Sequence, residues 1–128
     1  MSHHRFTRPW RVGVYGTLKK GFSNHRLLSG TPFLGTDRMT NLTLYDLGPY
    51  PAALERPSGG IEVEIYAVNA QELAALDRLE DYHPEAPEKS LYLRKPMATR
   101  FGEAWFYLYN QPISGARAIT RGGWPARL

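Results

Sequence analysis

A carboxylate stands at position 80, where the helical pattern of the sequence favours an apolar residue. Residues 69–82 are typical of one amphipathic helix, and a rotation of about 100° per residue places Glu80 between Leu73 and Leu76 on the buried face. A carboxylate there loses its hydration and must be paired, protonated or opened into a cavity. Glu80 is therefore either a buried carboxylate satisfied by an arginine or by backbone donors, or a general base or acid with a raised pKa that faces a pocket.

A second candidate is the loop that follows the first predicted strand. Residues 14–18 read Val-Tyr-Gly-Thr-Leu, and the glycine at position 16 lets a ligand approach the backbone closely. Successive N–H groups in such a loop bind an anion or a carbonyl oxygen, so Tyr15, Gly16, Thr17 and Leu18 are candidate substrate-binding residues. The spacing of the glycines is that of neither a P-loop nor a dinucleotide site, and none of the four histidines lies in the sequence context of a catalytic triad.

One long helix and six strands are predicted to position these residues. Asn69 and Glu72 have the spacing of a capping box, which sets the start of the helix, and Pro84 is expected to end it after Tyr82. The prolines of segment 48–51 predict a rigid bend that forms a wall of the site. The last strand is apolar or aromatic on both faces and must be covered on both sides. The strands are predicted at 11–15, 33–39, 42–47, 61–68, 90–99 and 103–110, with a short helix at 23–28.

The composition excludes several classes of protein. The 128 residues include no cysteine, which removes disulfide scaffolds, thiol nucleophiles and cysteine-ligated metals. No apolar run is long enough for a membrane span or a secretory signal, and the net charge of +4 comes from scattered residues rather than a basic stripe. We therefore expect a cytoplasmic monomer that binds neither nucleic acid nor membrane. Residues 1–10 are expected to form a flexible N-terminus, in which His3 and His4 are given no metal-binding role, and residues 11–128 a single α+β domain whose sheet curls or closes.

Taken together and in order, several segments resemble the gamma-glutamylcyclotransferase-like family. The resemblance is greatest to its short bacterial members and to gamma-glutamylamine cyclotransferase, and it spans about residues 11–124. The segments that carry it are 14–21, 24–28, 50–52, 64–68, 76–82, 92–94 and 105–109. The resemblance implies a small mixed β-barrel of about six strands with flanking helices.

The resemblance also implies a chemistry that needs no metal or organic cofactor. The α-amine of a small-molecule γ-glutamyl compound attacks its own γ-carbonyl, which releases an amine or amino acid and forms 5-oxoproline. Glu80 would act as general base and then as general acid, while the loop Tyr15–Leu18 would hold the glutamyl group. Tyr92 either donates a hydrogen bond to the substrate or belongs to the core. The alternative function is a catalytically silent domain of the same fold that binds a small ligand or a partner.

Overall fold

The structure is a computed structural model that describes residues 7–126. Within this range the chain forms eight strands, one α-helix and two 3-10 turns. The strands are β1 (Trp10–Val14), β2 (Phe33–Met39), β3 (Thr43–Asp46), β4 (Pro51–Leu54), β5 (Ile61–Val68), β6 (Tyr92–Thr99), β7 (Gly102–Tyr109) and β8 (Arg117–Ile119); the helix is α1 (Ala70–Leu79), and the 3-10 turns are His25–Leu28 and Pro87–Lys89. Residues 1–6, which include His3 and His4, lie outside the described residues, and Trp10 already belongs to β1.

The strands form two sheets. The larger has the order β2-β5-β1-β7-β6, with β1 and β7 parallel and every other pair antiparallel, and the smaller has the order β4-β3-β8. The α+β class is confirmed, but these two sheets are not closed on each other, so the predicted barrel of about six strands is not confirmed. The sequence reading missed β4 because it begins at Pro51, a residue typical of bends, and missed β8 because it has only three residues.

The five-stranded sheet is buried on both faces. Strand β7 contributes Phe106 to a cluster shared with the small sheet and Tyr107 to a cluster shared with α1, which confirms the coverage expected for this strand. On neighbouring β1 a glycine is required, since a Cβ on Gly13 would lie 2.2 Å from the Phe106 ring. The large sheet is thus the middle layer, and the site lies on its helix side.

The end of α1 differs from the prediction. Asn69 and Glu72 form the expected capping box, but the helix ends at Leu79 rather than Tyr82. Asp81 adopts a left-handed conformation with φ 54°, and its N–H and that of Tyr82 bond the carbonyls of Arg78 and Asp77 at 3.2 and 2.9 Å. This is a Schellman motif with an aspartate where glycine is usual. The predicted proline stop comes too late, because the chain leaves the helix before it reaches Pro84.

The C-terminal segment is held by its indole ring. Trp124 is buried, packs against Phe22 with 5.5 Å between ring centroids, and donates from Nε1 to Asp46. These contacts tie the C-terminal segment to the end of β3 and to Phe22. Across residues 7–126, α1 is too short and too polar to cross a bilayer, and neither 3-10 turn is longer.

Candidate active site

A cavity of about 400 Å³ opens where the loop after β1, the end of α1 and strands β6 and β7 meet. Every residue predicted for the site lines it, namely Tyr15, Gly16, Thr17, Leu18, Glu80 and Tyr92. The rigid bend predicted at 48–51 supplies part of the wall through Pro49, Tyr50 and Pro51. The structure therefore brings together the two features that the sequence singled out separately.

Glu80 reaches the cavity from the C-terminal cap of α1. Its N–H still bonds the Leu76 carbonyl at 2.9 Å, so its backbone continues the last turn and keeps the side chain on the face of Leu73 and Leu76. The nearest arginine on the sheet, Arg94, is used by Asp77, and the described residues offer the Glu80 carboxylate no hydrogen-bond donor. Burial alone raises the pKa of Glu80 to about 7.

The loop after β1 has its carbonyls occupied and its N–H groups free. The carbonyl oxygens of Gly16, Thr17 and Leu18 accept from Lys19 N, Asn24 N and His25 Nδ1 at 3.0, 2.9 and 2.9 Å. No acceptor for the N–H groups of these same three residues is found within residues 7–126. Since all three residues line the cavity, their N–H groups are available to an oxygen of a bound ligand.

Asn24 holds the loop from inside. Its Nδ2 donates to Thr17 Oγ1 at 2.8 Å, in addition to the backbone bond between the two residues. Asn24 lines the cavity as well, and the sequence analysis gave it no role. The one feature of the sequence that could have indicated this role is a short polar side chain seven residues after Thr17, within reach of the loop.

Gly16 is required for a reason that the sequence did not reveal. A Cβ on this residue would lie 2.8 Å from Pro51 Cδ, so the glycine lets the loop pack directly against the start of β4. The sequence analysis expected a ligand to lie close to this glycine, and in the structure Pro51 lies close to it. A larger residue at position 16 would displace the cavity wall as well as crowd a ligand.

Three tyrosines line the cavity together with Glu80, and none of their hydroxyls donates to its carboxylate. Tyr15 Oη donates to the Tyr107 carbonyl, Tyr92 Oη to the Pro51 carbonyl at 2.9 Å, and Tyr107 Oη to Asp77 Oδ1 at 2.6 Å. Burial raises the pKa of all three phenols, followed by the Glu80 charge for Tyr15 and Tyr92 and by the hydrogen bond to Asp77 for Tyr107, so they stay protonated at neutral pH. A phenol has one hydrogen to donate, and in this structure the Pro51 carbonyl accepts that of Tyr92. Tyr92 both lines the cavity and belongs to the core cluster shared with α1, and its role in substrate binding stays a prediction.

Asp77 joins the helix end to the sheet. Its Oδ1 lies 2.9 Å from Arg94 Nε, and the guanidinium is packed over the Trp105 ring at 4.4 Å and the Tyr82 ring at 5.2 Å. Both charged side chains are only 14% exposed, so the pair is shielded from solvent. This pair fixes the last turn of α1, and with it Glu80, against β6 and β7.

The arrangement is suited to proton transfer and binding of a carbonyl or carboxylate oxygen. Across residues 7–126 no three metal-ligating side chains come together, and the cavity offers one carboxylate, four phenols and a set of free backbone donors. A carboxyl with a pKa of about 7 exchanges protons readily at neutral pH. The chemistry this cavity can perform is therefore general acid–base catalysis.

Comparisons with known proteins agree with this geometry. The family model for gamma-glutamyl cyclotransferase, AIG2-like, matches residues 12–126. The Escherichia coli gamma-glutamylcyclotransferase family protein YtfP is 33% identical over 114 residues, 89% of this chain and 95% of that protein. The solution structure of the E. coli protein superposes with a TM-score of 0.71 and covers 90% of this chain and 96% of that one. The structure of PH0828 from Pyrococcus horikoshii gives a TM-score of 0.70 at 28% identity, with 87% of this chain and 86% of that one covered.

Proposed function

Since the chain belongs to the gamma-glutamyl cyclotransferase, AIG2-like family, we propose that it releases an amine or amino acid from a small γ-glutamyl compound and forms 5-oxoproline. The single observation that carries the proposal is Glu80: a half-buried carboxyl with a pKa of about 7, without a hydrogen-bond donor, in a cavity that also presents free backbone N–H groups. The reaction needs a base that takes a proton from the α-ammonium and hydrogen-bond donors that hold the glutamyl oxygens, and both must lie in one cavity.

The first step is proton transfer from the substrate. The α-ammonium of a γ-glutamyl compound has no lone pair and must lose a proton before it attacks. Ionised Glu80 takes that proton, and because its pKa is close to neutrality it is both ionised often enough to accept the proton and acidic enough to return it. An ordinary glutamate, with a pKa near 4.5, would be a much weaker base.

The second step is ring closure. The neutral amine attacks the γ-carbonyl carbon, and the proton held by Glu80 passes to the departing nitrogen as its C–N bond breaks. The ring nitrogen gives its second proton to the Glu80 carboxylate that this leaves, and Glu80 then releases that proton to the free amine or to water. The free N–H groups of Gly16, Thr17 and Leu18 support binding of the glutamyl carbonyl or carboxylate oxygens. Holding the chain bent in this way favours a closure that is already unimolecular.

A direct assay tests the proposal. Purified protein is incubated with γ-glutamyl amides and γ-glutamyl dipeptides, and 5-oxoproline and the released amine are quantified. We expect equal amounts of both products, a loss of about 100-fold or more in kcat for Glu80→Gln, and no loss for Glu88→Gln, a matched change at an exposed glutamate. An N-acetylated substrate should not react, since its nitrogen is not nucleophilic.

Binding without turnover would favour the alternative function. If γ-glutamyl compounds bind the wild-type protein and no 5-oxoproline forms with any of them, the chain is a silent binding domain of this family. If 5-oxoproline forms at a similar rate in Glu80→Gln, the base has been misassigned.

A further inference from the structure

The hydrogen-bond directions around Glu80 define which chemical groups the cavity can accept. Each phenolic hydrogen of Tyr15, Tyr92 and Tyr107 is donated to a carbonyl or carboxylate oxygen. Those partners are acceptors only, so the direction of each bond is fixed by chemistry. Each phenolic oxygen keeps lone pairs that no donor in residues 7–126 occupies.

Glu80 and these three tyrosines form one acceptor group in the cavity. All four residues line it, together with the polar residues Ser23, Asn24 and Tyr50, and no lysine, arginine or histidine of the described range does so. The three phenolic oxygens and the Glu80 carboxylate are complementary to a group that carries several N–H donors and a positive charge.

We infer that the phenolic oxygens of Tyr92 and Tyr107 accept hydrogen bonds from the α-ammonium of the substrate and position it for attack. The inference deepens the proposed function and rests on it, since it concerns the same cavity. These tyrosines act as acceptors for the substrate amine and not as donors to its carbonyl. Together with Glu80 they select compounds with a free α-amine.

This arrangement holds the amine nitrogen during proton transfer. An α-ammonium has three N–H bonds, and one proton passes to Glu80 while the two tyrosine oxygens accept from the other two. The lone pair forms on the side of Glu80, and rotation about the Cα–N bond then turns it toward the γ-carbonyl carbon. The Arg94–Asp77 pair supports this role of Tyr107, because Asp77 Oδ1 accepts the Tyr107 hydrogen and leaves the phenolic oxygen as an acceptor.

Two ligands that differ only in the α-amine test the inference. Binding of γ-glutamyl-benzylamide and of its des-amino counterpart, N-benzylglutaramate, is measured by isothermal titration in the Glu80→Gln background, where turnover is suppressed. The ratio of the two Kd values reports recognition of the amine. We expect Tyr92→Phe or Tyr107→Phe, added to Glu80→Gln, to reduce this ratio about 10-fold, since a hydrogen bond to a charged group is lost.

A structural role alone would give a different result. If the hydroxyls only tie Tyr92 to Pro51 and Tyr107 to Asp77, their removal weakens both ligands equally and the ratio stays constant. Tyr109→Phe is the matched control, because Tyr109 packs against the Tyr92 ring at 5.2 Å without lining the cavity, and it should leave the ratio unchanged.

The outcomes separate the inference from the proposed function. A constant ratio in both tyrosine variants, with the γ-glutamyl compound still bound, overturns the inference alone. Failure of the γ-glutamyl compound to bind the Glu80→Gln protein contradicts the proposed function and the inference with it.

Discussion

Replacing Glu80 with glutamine should stabilise the fold above neutral pH while it removes activity. Below pH 4.5 the carboxyl is protonated in both the folded and the unfolded chain. Between pH 4.5 and about 7 the unfolded chain ionises while the folded carboxyl stays protonated, so the free energy of unfolding of the wild type falls as the pH rises. Glutamine does not ionise, and its variant escapes this loss.

The size of the effect follows from the pKa values. Each tenfold change in proton affinity is about 1.4 kcal/mol, and a carboxyl that moves from 4.5 to about 7 loses about 3 kcal/mol of folding free energy by pH 8. Urea unfolding of the wild type and of Glu80→Gln at pH 4, 5.5, 7 and 8 measures the difference directly. We expect the difference in free energy of unfolding between the variant and the wild type to shift by about 3 kcal/mol in favour of the variant between pH 4 and pH 8.

The same urea unfolding series includes a control variant and a result that would refute the prediction. Glu88→Gln removes an exposed carboxylate and should run parallel to the wild type over the whole pH range. Parallel curves for Glu80→Gln as well would show that Glu80 is not desolvated in the folded protein. The physical argument for its role as a base at neutral pH would then be lost.

Three further perturbations test other parts of the account. The acidic limb of kcat/KM should have its midpoint near pH 7, where Glu80 ionises, and should be missing from the residual activity of Glu80→Gln; a limb that survives belongs to another group. Asn24→Ala should raise KM about 5-fold through the loss of its bond to Thr17 Oγ1, with Asn41→Ala, at an exposed asparagine outside the cavity, as the matched control; an unchanged KM in steady-state kinetics would contradict this role of Asn24. Gly13→Ala should lower stability by about 2 kcal/mol or more, since its Cβ would meet the Phe106 ring at 2.2 Å, and a melting temperature equal to that of the wild type would contradict this packing.

Local patterns predicted much of the framework. Strands β2 and β5 have the predicted bounds. In β5 the alternating apolar residues Ile61, Val63 and Ile65 specify the strand without help from the rest of the chain. The start of α1 was equally local, since Asn69 and Glu72 bond each other's backbone. Its end was not, because Asp81 is an uncommon residue for a left-handed cap.

The sequence indicated which residues line the cavity, but it did not indicate the hydrogen bonds between them. Helical periodicity was enough to mark Glu80, because the near-helical cap keeps it on the face of Leu73 and Leu76. The direction in which Tyr92 donates depends on the Pro51 carbonyl, which lies 41 residues away in the sequence. No spacing rule brings those two residues together, so the sequence could not indicate that the Pro51 carbonyl takes the Tyr92 hydrogen.

The central claim is that the substrate's own amine breaks the γ-glutamyl bond, and isotope labelling of the product tests it most directly. A γ-glutamyl amide is incubated with the wild-type protein in water enriched in oxygen-18, and the products are analysed by mass spectrometry. The account predicts unlabelled 5-oxoproline together with an equal amount of free amine, and formation at least about 100-fold slower in Glu80→Gln. Glutamate carrying one oxygen-18 atom would mean that water attacks the carbonyl, and it would contradict the account.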